Sequence, residues 1–348
     1  GNRTFEDKTE QVMNNYIVNT PGHVWIILRD INNDGNMDLV EGEPTVDQNG
    51  PNRKSSWWKL NQQRLTPWIF LSPGLLLFLV YVIWPIFNSL YISLLQWDGL
   101  SPAIYVGISN YIELLDDEYF YISLMNNLKW LIFFMLAVPI GLGLAIFLNQ
   151  TIFGIRLIKS LFFFPFVISQ VVIGIIFAWF YNPRGVIGPF LDSIGLSNYA
   201  ILADENFATY GIIFAGIYPQ IAYCMILYLT GLNNLNTDQI EAGRMDGAKG
   251  FSLFKNIILP QLRPATFLAI VVTVIGSLRS FDMVAIMTQG GPWGSTNVLA
   301  YYMFETALSE YGYRMGYGSA IAAVLFTIMM FYILFFIYRM YQSEKKGL

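Results

Sequence analysis

The sequence predicts an all-α polytopic membrane protein: a bundle of six transmembrane helices preceded by a small polar N-terminal extension. Three observations predict it. Hydrophobic residues make up 55% of the 348 and charged residues 13%, against about a quarter charged in a soluble domain, and mean hydropathy is positive. Six apolar stretches each approach or exceed the about 20 residues that cross about 30 Å of hydrocarbon as helix. Lys and Arg gather in alternate loops, as the positive-inside rule requires. The net charge of −4 carries little, because in such a chain the side on which each charge falls matters more than the sum.

Residues 1–66 form the polar extension. The chain opens on Gly1, which reads as a trimmed or incomplete start, and no secretory signal is visible. Asp30, Asn32, Asp34, Asp38 and Glu41 fall at positions 1, 3, 5, 9 and 12 of a calcium loop, with Gly35 at position 6. An EF-hand needs a helix on each side, whereas Val24–Leu28 reads as a strand and Gly42-Glu43-Pro44 forbids a helix afterwards. The second reading is an Asn/Asp/Gly hairpin turn between two strands, which needs no metal. Arg53, Lys54, Lys59 and Arg64 with Trp57-Trp58 then form a basic, aromatic approach to the membrane.

The spans fall at about Pro67–Leu95, Asn127–Leu148, Leu161–Tyr181, Thr209–Leu232, Ala265–Met287 and Gly318–Tyr338. No internal repeat is evident. The single cysteine, Cys224, excludes an internal disulfide and reads as packing within an apolar run. One histidine, His23, and no Cys/His cluster argue against a transition-metal site.

Between the fourth and fifth spans lies a polar, amphipathic stretch, 235–264, too long for a turn. Asn236 and Thr237 are N-cap types, Asp238–Asp246 reads as helix, and Gly247 ends it in the left-handed conformation. Ser252 reads as the cap of a second short helix stopped at Pro260. Two short helices at an angle on the membrane surface are expected. The spacing Glu241-Ala242-Gly243, three residues, Gly247, nine residues, Ile257-Ile258-Leu259-Pro260 resembles the EAA loop, EAA-x3-G-x9-I-x-L-P, of the membrane subunits of binding-protein-dependent ABC importers. Gly243 stands where that family usually has alanine. The resemblance implies a six-span type I permease fold over 67–348. It also implies that 235–264 is a coupling helix seated in a cytoplasmic ATPase, with Glu241, Ala242, Gly243, Asp246, Gly247, Ile257, Leu259 and Pro260 as its coupling residues. Small residues there would allow close backbone approach, and Ile240 and Met245 would supply apolar anchors.

Outside the central loop, Val106-Gly107-Ile108-Ser109-Asn110-Tyr111 resembles the F-x-G-L-x-N-Y signature of the carbohydrate-permease branch, and Met287-Thr288-Gln289-Gly290-Gly291-Pro292 its L-T-x-G-G-P turn. The nearest resemblance is to the larger membrane subunit of maltose, multiple-sugar and glycerol-phosphate importers. It implies a second homologous permease, two ATPase subunits carrying ATP and magnesium, and a periplasmic or extracellular solute-binding protein, in a bacterial or archaeal plasma membrane, with no nucleic acid among the partners. The turn Gly290, Gly291, Pro292 and Trp293 would contact the binding protein. Independently, Arg156, Lys159, Arg244, Lys249, Lys255, Arg263, Arg339, Lys345 and Lys346 place the central loop and both termini in the cytoplasm.

The spans hold few charges. Apart from Lys129 at the edge of the second, only Arg279 and Asp282 lie within one, at i, i+3 spacing that would let them pair on one helical face. An ion-coupled secondary transporter is expected to keep ionisable relays deep in the membrane, and a membrane enzyme needs a convergent catalytic set; both remain rivals that the sequence supports less well. No G-x4-G-K-[ST] loop occurs, so ATP would be hydrolysed elsewhere and the chain is expected to carry no cofactor besides the calcium reading. A carbohydrate pathway needs hydroxyl partners and aromatic faces at mid-depth. Tyr218, Gln220 and Tyr223 around Pro219 in the fourth span, Ser277 and Arg279 in the fifth, and Ser319 in the sixth are the candidates, although each is also an ordinary helix-packing feature.

Overall fold

The computed structural model describes the chain apart from residues 1–15, 20–24, 30–37, 43–56, 151–152, 196–197, 310–312 and 346–348, and the side chains of 16–64 and 343–344 are likewise outside the description. Two compact units result, Gly1–Leu77 and Phe78–Leu348.

The first unit holds a three-stranded antiparallel sheet of β1 (Tyr16–Asn19), β2 (Trp25–Arg29) and β3 (Asp38–Gly42), in the order β1-β2-β3. In the β2–β3 ladder Arg29 faces Asp38 and Trp25 faces Gly42. The calcium-type spacing therefore has strands on both sides rather than helices; Asp30, Asn32 and Asp34 lie outside the described residues, as do the side chains of Asp38 and Glu41.

Helix α1 (Trp57–Phe78), a π-turn (Leu79–Ile83) and α2 (Trp84–Ile92) follow. A short hairpin, β4 (Leu95–Gln96) with β5 (Ile104–Tyr105), and α3 (Ser109–Leu115) lead to α4 (Glu118–Phe134) and α5 (Ala137–Leu148). Next come α6 (Ile155–Val167), α7 (Gln170–Phe180), α8 (Gly188–Ser193) and α9 (Ala208–Asn233). Four helical runs are long and apolar enough to cross a membrane, Leu65–Ile92, Glu118–Leu148, Ala208–Asn233 and Met315–Gln342, and two bent pairs bring the total to six if each is one span.

The bent pairs correct the expectation of six continuous helices. The third span breaks between α6 and α7, which meet at 95°. Ile168 and Ser169 take extended ψ values of 140° and 139°, after a run in which Pro165 lacks an N–H and β-branched Val167-Ile168 disfavour helix. The second bent pair is Gly250–Gln261 with α13 (Arg263–Leu278), at 70°; α13 stops short of Met287, and α14 (Phe281–Met287) is separate. Ser277 Oγ donates to the Val274 carbonyl at 2.8 Å and Ser280 Oγ to the Ser277 carbonyl at 2.9 Å, local bonds that compete with helix continuation. The second span starts earlier than expected because Asp117 Oδ1 accepts the Tyr119 and Phe120 N–H groups and caps α4 at Glu118.

Helix α9 is the centre of the bundle. It packs along α5, where the small residues Ala137, Gly141 and Ala145 recur every fourth position and are buried. A Cβ on Gly141 would lie 2.6 Å from Cys224 Cβ, so the two backbones approach as small-residue seams allow in membranes. Cys224 packs in that seam. A core of Val138, Leu148, Met225, Tyr228 and Leu262 fills the end nearest the 235–264 loop, and Leu114, Phe120, Val274, Leu299 and Ile321 fill the opposite end.

Candidate functional site

The 235–264 loop folds as α10 (Thr237–Met245), α11 (Gly250–Leu253), a π-turn (Phe254–Ile258) and α12 (Leu259–Gln261), and the run Gly250–Gln261 meets α13 at 70°. Asn236 Oδ1 caps α10, accepting from the Asp238 and Gln239 N–H groups at 2.9 and 3.2 Å. At the other end Ala248 N–H donates to the Gly243 carbonyl and Gly247 N–H to the Arg244 carbonyl, at 2.9 and 3.1 Å, while Gly247 takes φ = 88°. This is a Schellman closure, which needs a residue free of Cβ strain at Gly247. Two expectations are corrected. Ser252 is not the second cap, since Lys249 precedes the helix without a side-chain bond, and Pro260 does not stop it but sits inside the run directly after the π-turn Phe254–Ile258, with Gln261 the last residue.

Glu241, Ala242, Asp246 and Gly247 are exposed, and Ile257, Leu259 and Pro260 are half-buried. Gly243 is the exception: it is buried, and a Cβ there would lie 2.0 Å from Ile257 Cδ1 and 3.6 Å from Leu253 Cδ1. Its small size serves contact within the loop, not approach by a partner. Met245 and Phe251 are the large apolar side chains the loop turns outward, 87% and 75% exposed, while Ile240 is half-buried. Phe251 escaped the sequence reading because a single aromatic in a short polar helix gives no periodic signal. Gln261 escaped it too: its Oε1 accepts the Asn236 N–H at 2.9 Å and closes the two ends of the loop on each other.

Within the bundle a cleft of about 290 Å³ is lined by Trp130, Gln170, Gln220, Tyr223, Gly276 and Arg279, together with Phe134, Ser280 and Asp282. It gathers three of the six expected residues, Gln220, Tyr223 and Arg279. Tyr218 is outside, edge-on to Phe177, and Ser277 and Ser319 do not line it. Arg279 and Asp282 do not form the expected pair; among the described residues the one ion pair joins Arg314 to Glu113 at 2.6 Å. The helix breaks at Arg279-Ser280, so the two residues share no helical face. Gln170, Trp130 and Ser280 were missed. Gln170 enters only because the third span breaks beside it, and Tyr223 faces the same break, stacked on Phe166 at 4.9 Å and 3°.

At the end of the bundle remote from the loop, residues 288–298 form a tight turn. Gly290 is buried, with no room for a Cβ against Asn297 Oδ1; Gly291 and Pro292, joined by a cis peptide bond, are half-buried. Asn126 Nδ2 donates to the Ser295 and Asn297 carbonyls at 2.7 and 2.8 Å, and Asn127 Oδ1 accepts the Leu299 N–H at 2.8 Å. The turn thus lifts one side chain clear: Trp293 is 85% exposed at φ = 50°, a backbone conformation costly for a non-glycine residue. Asp98, in the loop between β4 and β5, closes a self-contained turn, its carboxyl held down at about 2 by the Ser101 hydroxyl and then by the Ser101 and Leu100 N–H groups.

Residues 137–346 match the family described as binding-protein-dependent transport system inner membrane component. A probable ABC transporter permease protein of Pyrococcus horikoshii is 34% identical over 283 residues, covering 80% of this chain and 96% of the relative. A protein of Thermoanaerobacterium thermosulfurigenes, named as a probable starch degradation products transport system permease, is 26% identical over 264 residues, 75% of this chain and 89% of its own. Among solved structures, a chain of a bacterial alginate ABC transporter in complex with an alginate pentasaccharide-bound periplasmic protein superposes with a TM-score of 0.70 at 20% identity, covering 80% of this chain and 95% of that one.

Proposed function

The chain belongs to the binding-protein-dependent transport system inner membrane component family, a transport subunit and not an enzyme, and from that premise we propose that it serves an ATP-driven importer of a carbohydrate. The starch-products relative supports the substrate class, as does a cleft that sets Trp130 and Tyr223 beside the amides of Gln170 and Gln220. In this reading a solute-binding protein docks at the turn carrying Trp293, a second permease completes the pathway, and two ATPase subunits hold ATP and magnesium. Both termini lie in the cytoplasm with the 235–264 loop.

The observation that carries the reading is where that loop stands. It joins α9, which bears Gln220 and Tyr223, to α13, which bears Gly276 and ends at Arg279. Capped at Asn236, closed at Gly247 and tied at Gln261, it can move as a unit, so a push on its exposed face displaces both walls of the cleft together. ATPase closure would supply that push, opening the cleft to the binding protein, and hydrolysis would return it to face the cytoplasm.

Co-purification of the complex in detergent tests this. Native chain is expected to retain the ATPase, and Gly247→Pro to lose it while still inserting, since proline cannot adopt φ = 88°. Native chain that purifies without an ATPase, yet moves sugar in vesicles without ATP, would overturn the reading in favour of a secondary transporter.

A further inference from the structure

Thr273 lies on α13, fully buried, and is not among the residues that line the cleft of Gln220 and Arg279. Its Oγ1 accepts the Gln220 Nε2–H at 2.8 Å and lies 3.5 Å from Cys224 Sγ. This polar contact stands between the two spans that the 235–264 loop connects. Its consequence is orientational. With the Gln220 amide nitrogen engaged by Thr273, the oxygen is turned the other way: a Cβ built on Gly276 would lie 3.6 Å from Gln220 Oε1, and both Gly276 and Gln220 line the cleft. Among the described residues Oε1 accepts no hydrogen bond. A second, independent feature belongs to the same cleft. Trp130, 1% exposed, contributes to the lining, and its indole N–H has no partner among the described residues, an arrangement that costs free energy unless something fills it.

We propose that Thr273 is a positioning residue for substrate recognition: it fixes Gln220 with its carbonyl oxygen toward the cleft, so that the site offers an acceptor to a ligand hydroxyl. A free glutamine amide turns over at little cost and presents donor or acceptor indifferently; here Nε2 is engaged by Thr273 Oγ1 at 2.8 Å and lies 3.9 Å from Cys224 Sγ, the orientation that leaves the oxygen to the cleft. Gly276 carries no side chain to occupy the approach to that oxygen. The ligand class is therefore a hydrogen-bond donor at this point, as a sugar hydroxyl is and a carboxylate or phosphate monoester dianion is not. The inference rests on the importer reading and adds to it which chemical face of the substrate meets α9.

The test uses the complete importer with its binding protein in proteoliposomes, with radiolabelled maltotriose and arabinotriose as probes. Thr273→Val keeps the shape and removes the acceptor. It is expected to raise the KM for uptake of the transported probe about 3- to 10-fold with an unchanged maximal rate, the effect of losing one net hydrogen bond. Thr273→Ser, which keeps the hydroxyl, should restore the native KM, a rescue that a packing role would not produce. Gln220→Leu serves as the control for the cleft itself. If Gln220→Leu raises KM and Thr273→Val does not, the positioning role is overturned while the importer reading stands. If neither changes KM, or if the native importer takes up neither probe, the cleft assignment fails and the proposal with it. Should Thr273→Val fail to assemble, Thr273→Ala is read in the same way against Thr273→Ser.

Discussion

At the scale of single residues, the position at which this chain departs from its family's motif has a physical account. Gly243 is packed against Ile257 and Leu253 inside the loop, so the missing methyl group is matched by the long isoleucine opposite. Helix propensity favours alanine at Gly243 by about 1 kcal/mol, while the crowding against Ile257 Cδ1 opposes it. Gly243→Ala is expected to reduce retention of the ATPase, Ile257→Val to be nearly neutral, and the double variant to recover native retention, because valine lacks the atom that clashes. Co-purification of the three variants measures this; additive losses would sink the compensation. Much of this loop was legible in the sequence, because capping and αL closure are local: Asn236 and Gly247 act where their residue types say they should. Gly243's inward face was not, since it depends on where the second short helix returns. Nor was the failure of Arg279 and Asp282 to pair, since i, i+3 arithmetic holds only within one helix and the chain breaks at Ser280.

At the scale of elements, the unexpected feature is how polar residues hold apolar helices. The six stretches were readable because membrane length and composition are coarse signals. The kinks were not, because a break between α6 and α7 depends on a few backbone angles that hydropathy averages away. Asn126 and Asn127 illustrate the same limit. In sequence they mark a span edge, whereas in the fold they serve as anchors for the turn at 288–298, more than 150 positions away. Because Asn126 Nδ2 satisfies two carbonyls at once, Asn126→Ala leaves both without that donor and is expected to cost about 2–3 kcal/mol. Thermal unfolding of the detergent-solubilised protein should show a lowered Tm, with Asn126→Gln intermediate; an unchanged Tm in Asn126→Ala would mean that the turn is held by the other contacts alone.

At the scale of the whole molecule, the two exposed prows of the bundle stand at opposite ends of the same helices. Met245 leads one in the central loop, and Trp293 leads the other at the tip of the pinned turn. Successive spans reverse direction, α9 descending into the loop and α13 rising from it, so a membrane that encloses the apolar runs must separate these side chains. The proposed orientation follows from charge: Arg244, Lys249, Lys255 and Arg263 share the loop with Met245, and loops rich in Lys and Arg favour the cytoplasmic side. The chain supplies a quiet background for testing this, since its one cysteine, Cys224, is fully buried. A membrane-impermeant maleimide added to intact cells is therefore expected to label Trp293→Cys and spare Met245→Cys, and inside-out vesicles should reverse the pattern. Labelling of Met245→Cys from outside would invert the molecule, leaving the loop on the wrong side for any cytoplasmic ATPase and removing the basis for ATP-driven coupling through it.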